Sequence, residues 1–113
     1  MTESCLFCRI VRREIPAKVI HEDEHTLAFR DIDPRAPTHV LVIPKVHVAS
    51  LNETDDAALV GRLMLAAKQI AAAEGIAEEG YRTVVNCGAN GGQSVSHLHV
   101  HLLGGRRLTW PPG

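Results

Sequence analysis

Apolar and polar positions follow two different periods along this chain, and these periods distinguish strands from helices. Five segments either alternate apolar and polar side chains or concentrate β-branched ones, and turn residues or prolines bound them. They predict strands over residues 18–23, 25–32, 39–44, 81–87 and 96–103. The first two strands form a hairpin around residues 22–24, and Pro44 ends the third.

The middle of the chain has the helical period instead. Its apolar positions recur every three or four residues and predict one buried face: Leu59, Leu63, Ala67 and Ile70. Thr54 is placed to cap this helix, and Asp55 and Asp56 suit the positive end of its dipole. Gly75 predicts its end.

A shorter helix is predicted over residues 5–14, where Leu6, Ile10 and Arg13 have helical spacing ahead of a turn at Pro16. Strands, one long helix and further strands predict an α+β fold with a mostly antiparallel sheet. We expect a single domain over residues 1–113, with an irregular C-terminal tail over residues 104–113.

Composition restricts the class of partner. The chain has 113 residues and a formal charge of −1, so charge favours neither nucleic acid nor an acidic membrane surface as partner. It contains no stretch of about 18 apolar residues, and its N-terminal residues are too polar for a signal peptide. Three cysteines, an odd number, do not suggest a disulfide framework. We therefore expect a cytoplasmic protein that binds neither nucleic acid nor membrane.

The predicted last strand carries three of the seven histidines of the chain. Because successive strand residues point to opposite faces, His97, His99 and His101 share one face. The other face is apolar and is expected to meet the long helix through Leu98, Val100 and Leu102. Three imidazoles on one face indicate either a metal site or a nucleophilic site for phosphoryl chemistry.

A glycine-rich loop over residues 88–94 precedes the histidines and favours phosphoryl chemistry. Gly88, Gly91 and Gly92 allow backbone N–H groups to converge on an anion, and the Ser94 hydroxyl adds a donor. An imidazole with a pKa of about 6.5 is largely the free base at neutral pH, so it can attack phosphorus without a separate base.

Cys5 and Cys8 form a C-x-x-C pair with two usual roles, redox chemistry and zinc binding. A redox pair is expected after a strand and a turn, and no such unit precedes these cysteines. Zinc binding requires two further ligands.

The residues His97 to Leu103 match the pattern His-φ-His-φ-His-φ-φ of the histidine triad (HIT) superfamily. Residues 13–45 and 80–113 resemble the two halves of its Hint branch, and the ending Trp-Pro-Pro-Gly is typical of that branch. The resemblance implies a HIT-like fold that forms a twofold homodimer. Strand residues 81–86 and the helix bearing Leu59, Leu63 and Ala66 are the expected interface.

The resemblance also implies an activity, the hydrolysis of purine nucleoside phosphoramidates such as AMP joined to an amine or to lysine. His99 would be the nucleophile, His101 would bind a phosphate oxygen, and His39 would line the same site. Ser94 would contact the phosphate or the leaving amine, and Asp31 would accept hydrogen bonds from the ribose hydroxyls.

Further substrate contacts follow from the same resemblance. The purine would lie in an apolar slot formed by Leu6, Phe7, Ile10, Ile15, Phe29 and Ile32. The phosphate and ribose would meet Asn86 and the loop residues Gly92, Gln93 and Val95. Trp110 would reach the active site of the partner subunit and help to select the leaving group.

Some relatives hold structural zinc at positions that correspond here to Cys5, Cys8, His47 and His97, so the resemblance implies structural zinc and no cofactor for catalysis. One alternative function is a nucleotide-binding scaffold with little turnover. Another is a metallohydrolase that uses the triad as ligands, which is less favoured because no carboxylate closely follows His101.

Overall fold

A five-stranded antiparallel sheet carries two α-helices in the computed structural model, which describes residues 2–113. The strands are β1 (Val19–Glu22), β2 (Thr26–Arg30), β3 (Thr38–Pro44), β4 (Tyr81–Val84) and β5 (Val100–Gly104). Their spatial order is β1-β2-β3-β5-β4, with every neighbouring pair antiparallel. The helices are α1 (Leu6–Val11) and α2 (Ala57–Ala73). The predicted α+β class is confirmed.

Strand β3 is central and buried on both faces, so its side chains divide between two apolar clusters. Val40 and Val42 pack with Leu63 and other α2 residues. Leu41 and Ile43 pack on the opposite face, in the cluster to which α1 contributes Phe7 and Ile10. Each helix therefore covers one face of the sheet.

Helix α2 begins later than the sequence suggests. Asp56, not Thr54, is its N-cap, because the Asp56 carboxylate accepts a hydrogen bond from the Leu59 backbone N–H at 3.1 Å. Thr54 instead accepts one from the Asp56 N–H, in the turn before the helix. The predicted end is confirmed, since Gly75 follows the C-cap residue with a φ of 77°.

Helix α1 is shorter than the predicted range 5–14. Cys5 caps it, because its sulfur accepts a hydrogen bond from the Cys8 N–H at 3.4 Å. The helix ends at Val11, and Arg13 has a φ of 63°, a conformation that does not continue a right-handed helix.

The predicted strand over residues 96–103 is also shorter, since β5 begins at Val100. The Leu98 N–H donates to the Val48 carbonyl, in a loop, and so does not join the sheet ladder. The alternation of faces still holds, because Leu98 joins Val100 and Leu102 in the cluster beneath α2. His97 and His99 lie on the other side and are buried.

The remaining boundaries also differ. β4 ends at Val84, whereas the sequence predicts a strand to residue 87. Gly104, predicted as the first tail residue, belongs to β5 and pairs with Thr38 and Tyr81. Across residues 2–113, the helices lack the length and apolar character that a bilayer crossing requires.

Candidate functional site

The register of β3 and β5 brings two histidines together on the α1 face of the sheet. His101 pairs with Leu41, and His39 pairs with Leu103. The two imidazoles therefore lie diagonally across the strand pair, with His39 Nε2 2.9 Å from His101 Nδ1.

His99 is held by the backbone of the residue two positions before it. Its Nδ1 lies 2.7 Å from the His97 carbonyl oxygen. Because a carbonyl only accepts, Nδ1 carries the proton, and Nε2 of the neutral ring keeps its lone pair. The ring is only 3% exposed and packs edge-on against Phe7. In the neutral tautomer, His99 thus presents the Nε2 lone pair in a fixed orientation.

A hydrogen-bond chain sets the tautomers of the other two imidazoles. The Arg35 backbone N–H donates to His39 Nδ1 at 3.0 Å, so the proton of neutral His39 is on Nε2. That N–H donates to His101 Nδ1, and His101 therefore carries its own proton on Nε2. The Asp31 carboxylate lies 3.4 Å from His39 Nε2. The chain ends in a donor on His101.

Burial keeps the His39 and His101 imidazoles neutral at pH 7. It lowers the pKa of His39 despite the opposing effect of the Asp31 carboxylate. Burial, followed by the charges of His99 and His39, lowers the pKa of His101 to about 4. At neutral pH, His101 is therefore a neutral hydrogen-bond donor.

Asp31, His39 and His101 are close enough to suggest a metal site, but their hydrogen bonds do not fit one. A metal ligand needs a free lone pair, whereas His39 Nδ1 accepts from Arg35 and His39 Nε2 carries the proton. A metal bound at Nε2 would place a proton on Nδ1, facing the Arg35 N–H. We conclude that His39 and His101 belong to a hydrogen-bond chain that starts at the Arg35 N–H, with the Asp31 carboxylate beside it.

A second cluster joins α1 to the start of the histidine segment. Its four possible ligands are Cys5, Cys8, His47 and His97, whose ligand atoms lie within 4.8 Å of one another. His97 Nδ1 lies 3.4 Å from Cys5 Sγ and 3.6 Å from Cys8 Sγ. His47 Nδ1 lies 3.2 Å from both Cys8 Sγ and His97 Nδ1.

These distances fit tetrahedral zinc. Zinc bonds of about 2.05 Å to nitrogen and about 2.3 Å to sulfur place two nitrogens about 3.4 Å apart, and a nitrogen and a sulfur about 3.6 Å apart. The tautomer also fits, because His97 Nε2 donates to the Pro44 carbonyl at 2.9 Å and leaves the Nδ1 lone pair free. Four protein ligands would leave no open position, as in structural zinc sites.

The glycine-rich loop is held by two side-chain amides that the sequence assigned to substrate. The Asn86 amide donates to the Gly91 carbonyl at 2.6 Å. The Gln93 oxygen accepts from the Gly88 N–H at 3.0 Å, and its amide donates to the Ala49 carbonyl at 2.7 Å. These contacts occupy much of the hydrogen-bonding capacity of both amides, whereas Ser94, the last residue of the loop, is exposed.

The structure divides the predicted substrate residues between two cavities. Asp31, Ile32 and His39 line a cavity of about 590 Å³, together with Pro16, Ala17, Lys18, Arg30, Pro34 and Pro37. Leu6, Ser94 and Val95 line a second cavity of about 520 Å³, next to the possible metal ligands Cys5 and His47 and with Ser4, Ala49 and Ser96.

The predicted purine slot is unevenly exposed. Phe7, Ile10 and Phe29 are buried in one apolar cluster, and Ile15 packs against it. Ile32, in contrast, is 99% exposed at the larger cavity.

The C-terminal tail lies beside β4 of its own chain. The Arg82 guanidinium donates to the Thr109 carbonyl at 2.8 Å and lies 6.0 Å from the ring centre of Trp110. The Trp110 side chain is 80% exposed.

Three backbone groups that orient histidines were not found from the sequence: the Arg35 N–H, the Pro44 carbonyl and the His97 carbonyl. A backbone group has no residue signature, so composition cannot identify it. The prolines at 34 and 37, on either side of Arg35, were a usable signal, because they restrict the segment that presents this N–H.

Comparisons with known proteins find relatives that are similar in sequence over almost the whole chain. The chain is 57% identical to a HIT-like protein of Synechococcus elongatus, with both chains fully covered. It is 51% identical to a 14 kDa zinc-binding protein of Zea mays, over 96% of this chain and 87% of that one.

Solved structures show the same fold. A HIT family hydrolase from Legionella pneumophila superposes with a TM-score of 0.95 and 54% identity, over 97% of this chain and all of that one. A histidine triad nucleotide-binding protein from Candida albicans superposes with a TM-score of 0.82 and 33% identity, over 96% of this chain and 83% of that one. The HIT domain family matches residues 12–108, and the chain belongs to this family.

Proposed function

We propose that this protein hydrolyses purine nucleoside phosphoramidates through a nucleotide held covalently on His99. One observation carries the proposal: the hydrogen bond from His99 Nδ1 to the His97 carbonyl places the lone pair of the neutral ring on Nε2 and fixes the ring orientation. Such a nitrogen attacks phosphorus without first losing a proton. The hydrolase from Legionella pneumophila, which shares 54% of its residues with this chain, supports a hydrolytic role.

The reaction has two displacements at phosphorus. In the first, the Nε2 lone pair of His99 forms a bond to phosphorus while the bond from phosphorus to the amine nitrogen breaks. The amine leaves with a proton that reaches it from solvent beside the exposed Ser94 hydroxyl. In the second, water attacks phosphorus, releases its proton to solvent and displaces Nε2, so that the nucleoside monophosphate leaves and His99 is regenerated.

His101 and the loop stabilise charge on the phosphoryl oxygens. The Nε2–H of neutral His101 donates to one oxygen, and the hydrogen-bond chain from Arg35 through His39 fixes its direction. The glycine-rich loop would add further donors, and Gly92, whose N–H donates to the Ala89 carbonyl at 3.1 Å, would have to turn this N–H toward the phosphate.

The nucleoside occupies the cavity beside Asp31, whose carboxylate accepts hydrogen bonds from the ribose hydroxyls. The Candida albicans nucleotide-binding protein, at 33% identity, supports a nucleotide ligand. We retain Leu6, Phe7, Ile10, Ile15, Phe29 and Ile32 as the proposed apolar surround of the purine.

The protein acts as a twofold homodimer in this proposal. β4 is an edge strand, but Leu59, Leu63 and Ala66, which marked the interface helix in the sequence, are buried in the core beneath α2. Met64 and Leu65 are the exposed apolar side chains of α2 that pairing would cover. In this proposal, the exposed Trp110 ring reaches the partner's active site. Structural zinc at the Cys5, Cys8, His47 and His97 cluster would fix α1, and the reducing cytoplasm would keep both thiols available.

The test is turnover of a fluorogenic adenosine phosphoramidate by the wild type and by His99→Ala. We expect His99→Ala to bind AMP and to lose several orders of magnitude in turnover, since the covalent route is absent. Rapid alkaline quenching and intact mass measurement should find a nucleotidyl adduct on the wild type alone. His25→Ala, at an exposed position, is the matched control.

Near-normal turnover by His99→Ala would disprove the covalent mechanism. AMP binding by the wild type without turnover of any phosphoramidate would favour the nucleotide-binding scaffold instead.

A further inference from the structure

His97 connects the possible metal cluster to the nucleophile. Its Nδ1 faces the Cys5 and Cys8 sulfurs, and its Nε2 donates to the Pro44 carbonyl. Its own carbonyl accepts the hydrogen bond that fixes the His99 ring. The side chain is fully buried, so displacement of the imidazole would also displace the backbone that holds His99.

Phe7 forms a second connection. It lies between Cys5 and Cys8 in sequence, and its ring packs edge-on against two imidazoles. The ring centres are 5.8 Å apart for His97 and 5.2 Å apart for His99, with interplanar angles of 71° and 90°. Aromatic pairs of this kind have a preferred geometry, so the Phe7 position restricts the His99 ring.

Helix α1 needs an external anchor to hold Phe7 in place. It has only six residues, far fewer than a helix needs to be stable alone. Its anchors are the packing of Phe7 and Ile10 and the Cys5 and Cys8 ligands. Removing a metal from those ligands would loosen the helix that carries Phe7.

We propose that the cluster of Cys5, Cys8, His47 and His97, when it holds zinc, positions the nucleophile His99 through the His97 carbonyl and the Phe7 ring. Zinc takes part in no chemical step. The proposal builds on the role of His99 in the proposed function and adds that Phe7 is a positioning residue for this imidazole. Misplacing a reacting group by about 1 Å can cost on the order of 100-fold in rate.

The first experiment removes the sulfur ligands with the double variant Cys5→Ser, Cys8→Ser. Cys87→Ser is the matched control, because Cys87 lies outside the cluster. Zinc content, ¹⁵N imidazole spectra of labelled protein, kcat and KM are measured for each. We expect the zinc-free double variant to lose the Nδ1-protonated signature of His99 and to fall on the order of 100-fold in kcat, with KM nearly unchanged. Cys87→Ser should match the wild type.

Phe7→Leu keeps an apolar side chain and all four ligands, so it remains informative if the double variant does not fold. We expect full zinc content, a shifted His99 ¹⁵N signal and a fall in kcat of about tenfold, a barrier change of about 1.4 kcal/mol. A purely base-binding role for Phe7 would instead raise KM and leave the His99 signal in place.

Wild-type His99 spectra and kcat in a folded, zinc-free double variant would overturn the proposal. The same result in Phe7→Leu would overturn the role of Phe7. If the wild type hydrolyses no phosphoramidate, the proposed function fails, yet the ¹⁵N spectra still decide whether zinc positions His99.

Discussion

The Nε2 of His39 lies 2.9 Å from the Nδ1 of His101, and the Arg35 N–H on the far side of the His39 ring determines which nitrogen donates. Without a fixed donor such as this backbone N–H, the proton between the two imidazoles could belong to either of them. Here, only one neutral arrangement satisfies all the contacts, and it leaves the N–H of His101 Nε2 as the free donor. The two strands therefore supply a donor of defined direction for a phosphoryl oxygen.

Replacing His39 tests whether the hydrogen bonds from Arg35 through His39 to His101 contribute to catalysis. His39→Leu removes the donor to His101 Nδ1, so the His101 N–H is no longer directed at the phosphoryl oxygen; losing a hydrogen bond to a charged oxygen costs about 1.5–3 kcal/mol, or roughly 10- to 100-fold in kcat. His39→Gln retains an amide N–H and should recover part of the loss. Steady-state kinetics of both variants provide the test, and equal kcat values for His39→Leu and the wild type would contradict it.

The local pattern of the sequence predicted which face each histidine takes, because alternation depends only on neighbouring residues. It did not predict that His97 and His99 precede the strand, since that depends on a hydrogen bond from Leu98 to the distant Val48 carbonyl. The N-cap was misplaced for a similar reason. Thr54 and Asp56 both have capping side chains, and only the tertiary path of the chain selects Asp56.

Chemistry that depends on side-chain identity was easier to predict than chemistry that depends on shape. The four candidate zinc ligands come together as the resemblance implied. The purine slot stays a prediction, because burial of Phe7 and Phe29 shows apolar packing without showing what lies against it.

The stability of the protein should fall at mildly acidic pH because of His101. Its pKa is lowered from 6.5 to about 4 in the folded state. As pH falls through this interval, the unfolded chain takes up a proton on this imidazole while the folded protein does not, so the free energy of unfolding decreases. The melting temperature of His101→Gln should therefore depend less on pH between 6.5 and 4 than that of the wild type. Parallel curves would contradict this account.

Zinc binding should release protons. Burial, followed by the hydrogen bond to Cys5, raises the pKa of the Cys8 thiol to about 11, so this thiol is protonated at pH 7 in the absence of metal. A cysteine that binds zinc must be a thiolate, and calorimetry in buffers of different ionisation enthalpy should detect the proton released.

Protein purified without a histidine tag should contain near one zinc per chain. The zinc prediction would be contradicted if the wild type contained no zinc and the double variant Cys5→Ser, Cys8→Ser had the same thermal stability. Both cysteines would then be packing residues.

The expected dimer can be tested on the exposed face of α2. Leu65 is 59% exposed there, and Leu65→Asp would place a charge in the proposed interface. We expect light scattering at micromolar concentration to give a dimer for the wild type and a monomer for this variant. Val46→Asp, at an exposed apolar position outside the proposed interface, is the control. A wild-type monomer would contradict the dimer.

The tail prediction separates action on the partner subunit from action on the same chain. Truncation after Leu108 removes Trp110 and the contact of Arg82 with Thr109 but leaves the proposed interface, so the dimer should persist. We expect the ratio of kcat/KM between phosphoramidates of bulky and small amines to change, because the exposed aromatic ring that would contact the leaving group is lost.

Mixed dimers of a truncated subunit and a full-length His99→Ala subunit show whether the tail acts on its own active site or on that of the partner. The only nucleophile then belongs to the truncated subunit and the only tail to its partner, so restored selectivity means that the tail acts across the interface. Selectivity that stays altered in mixed dimers would mean that each tail serves its own subunit, and a ratio unaffected by truncation would contradict any role in substrate choice.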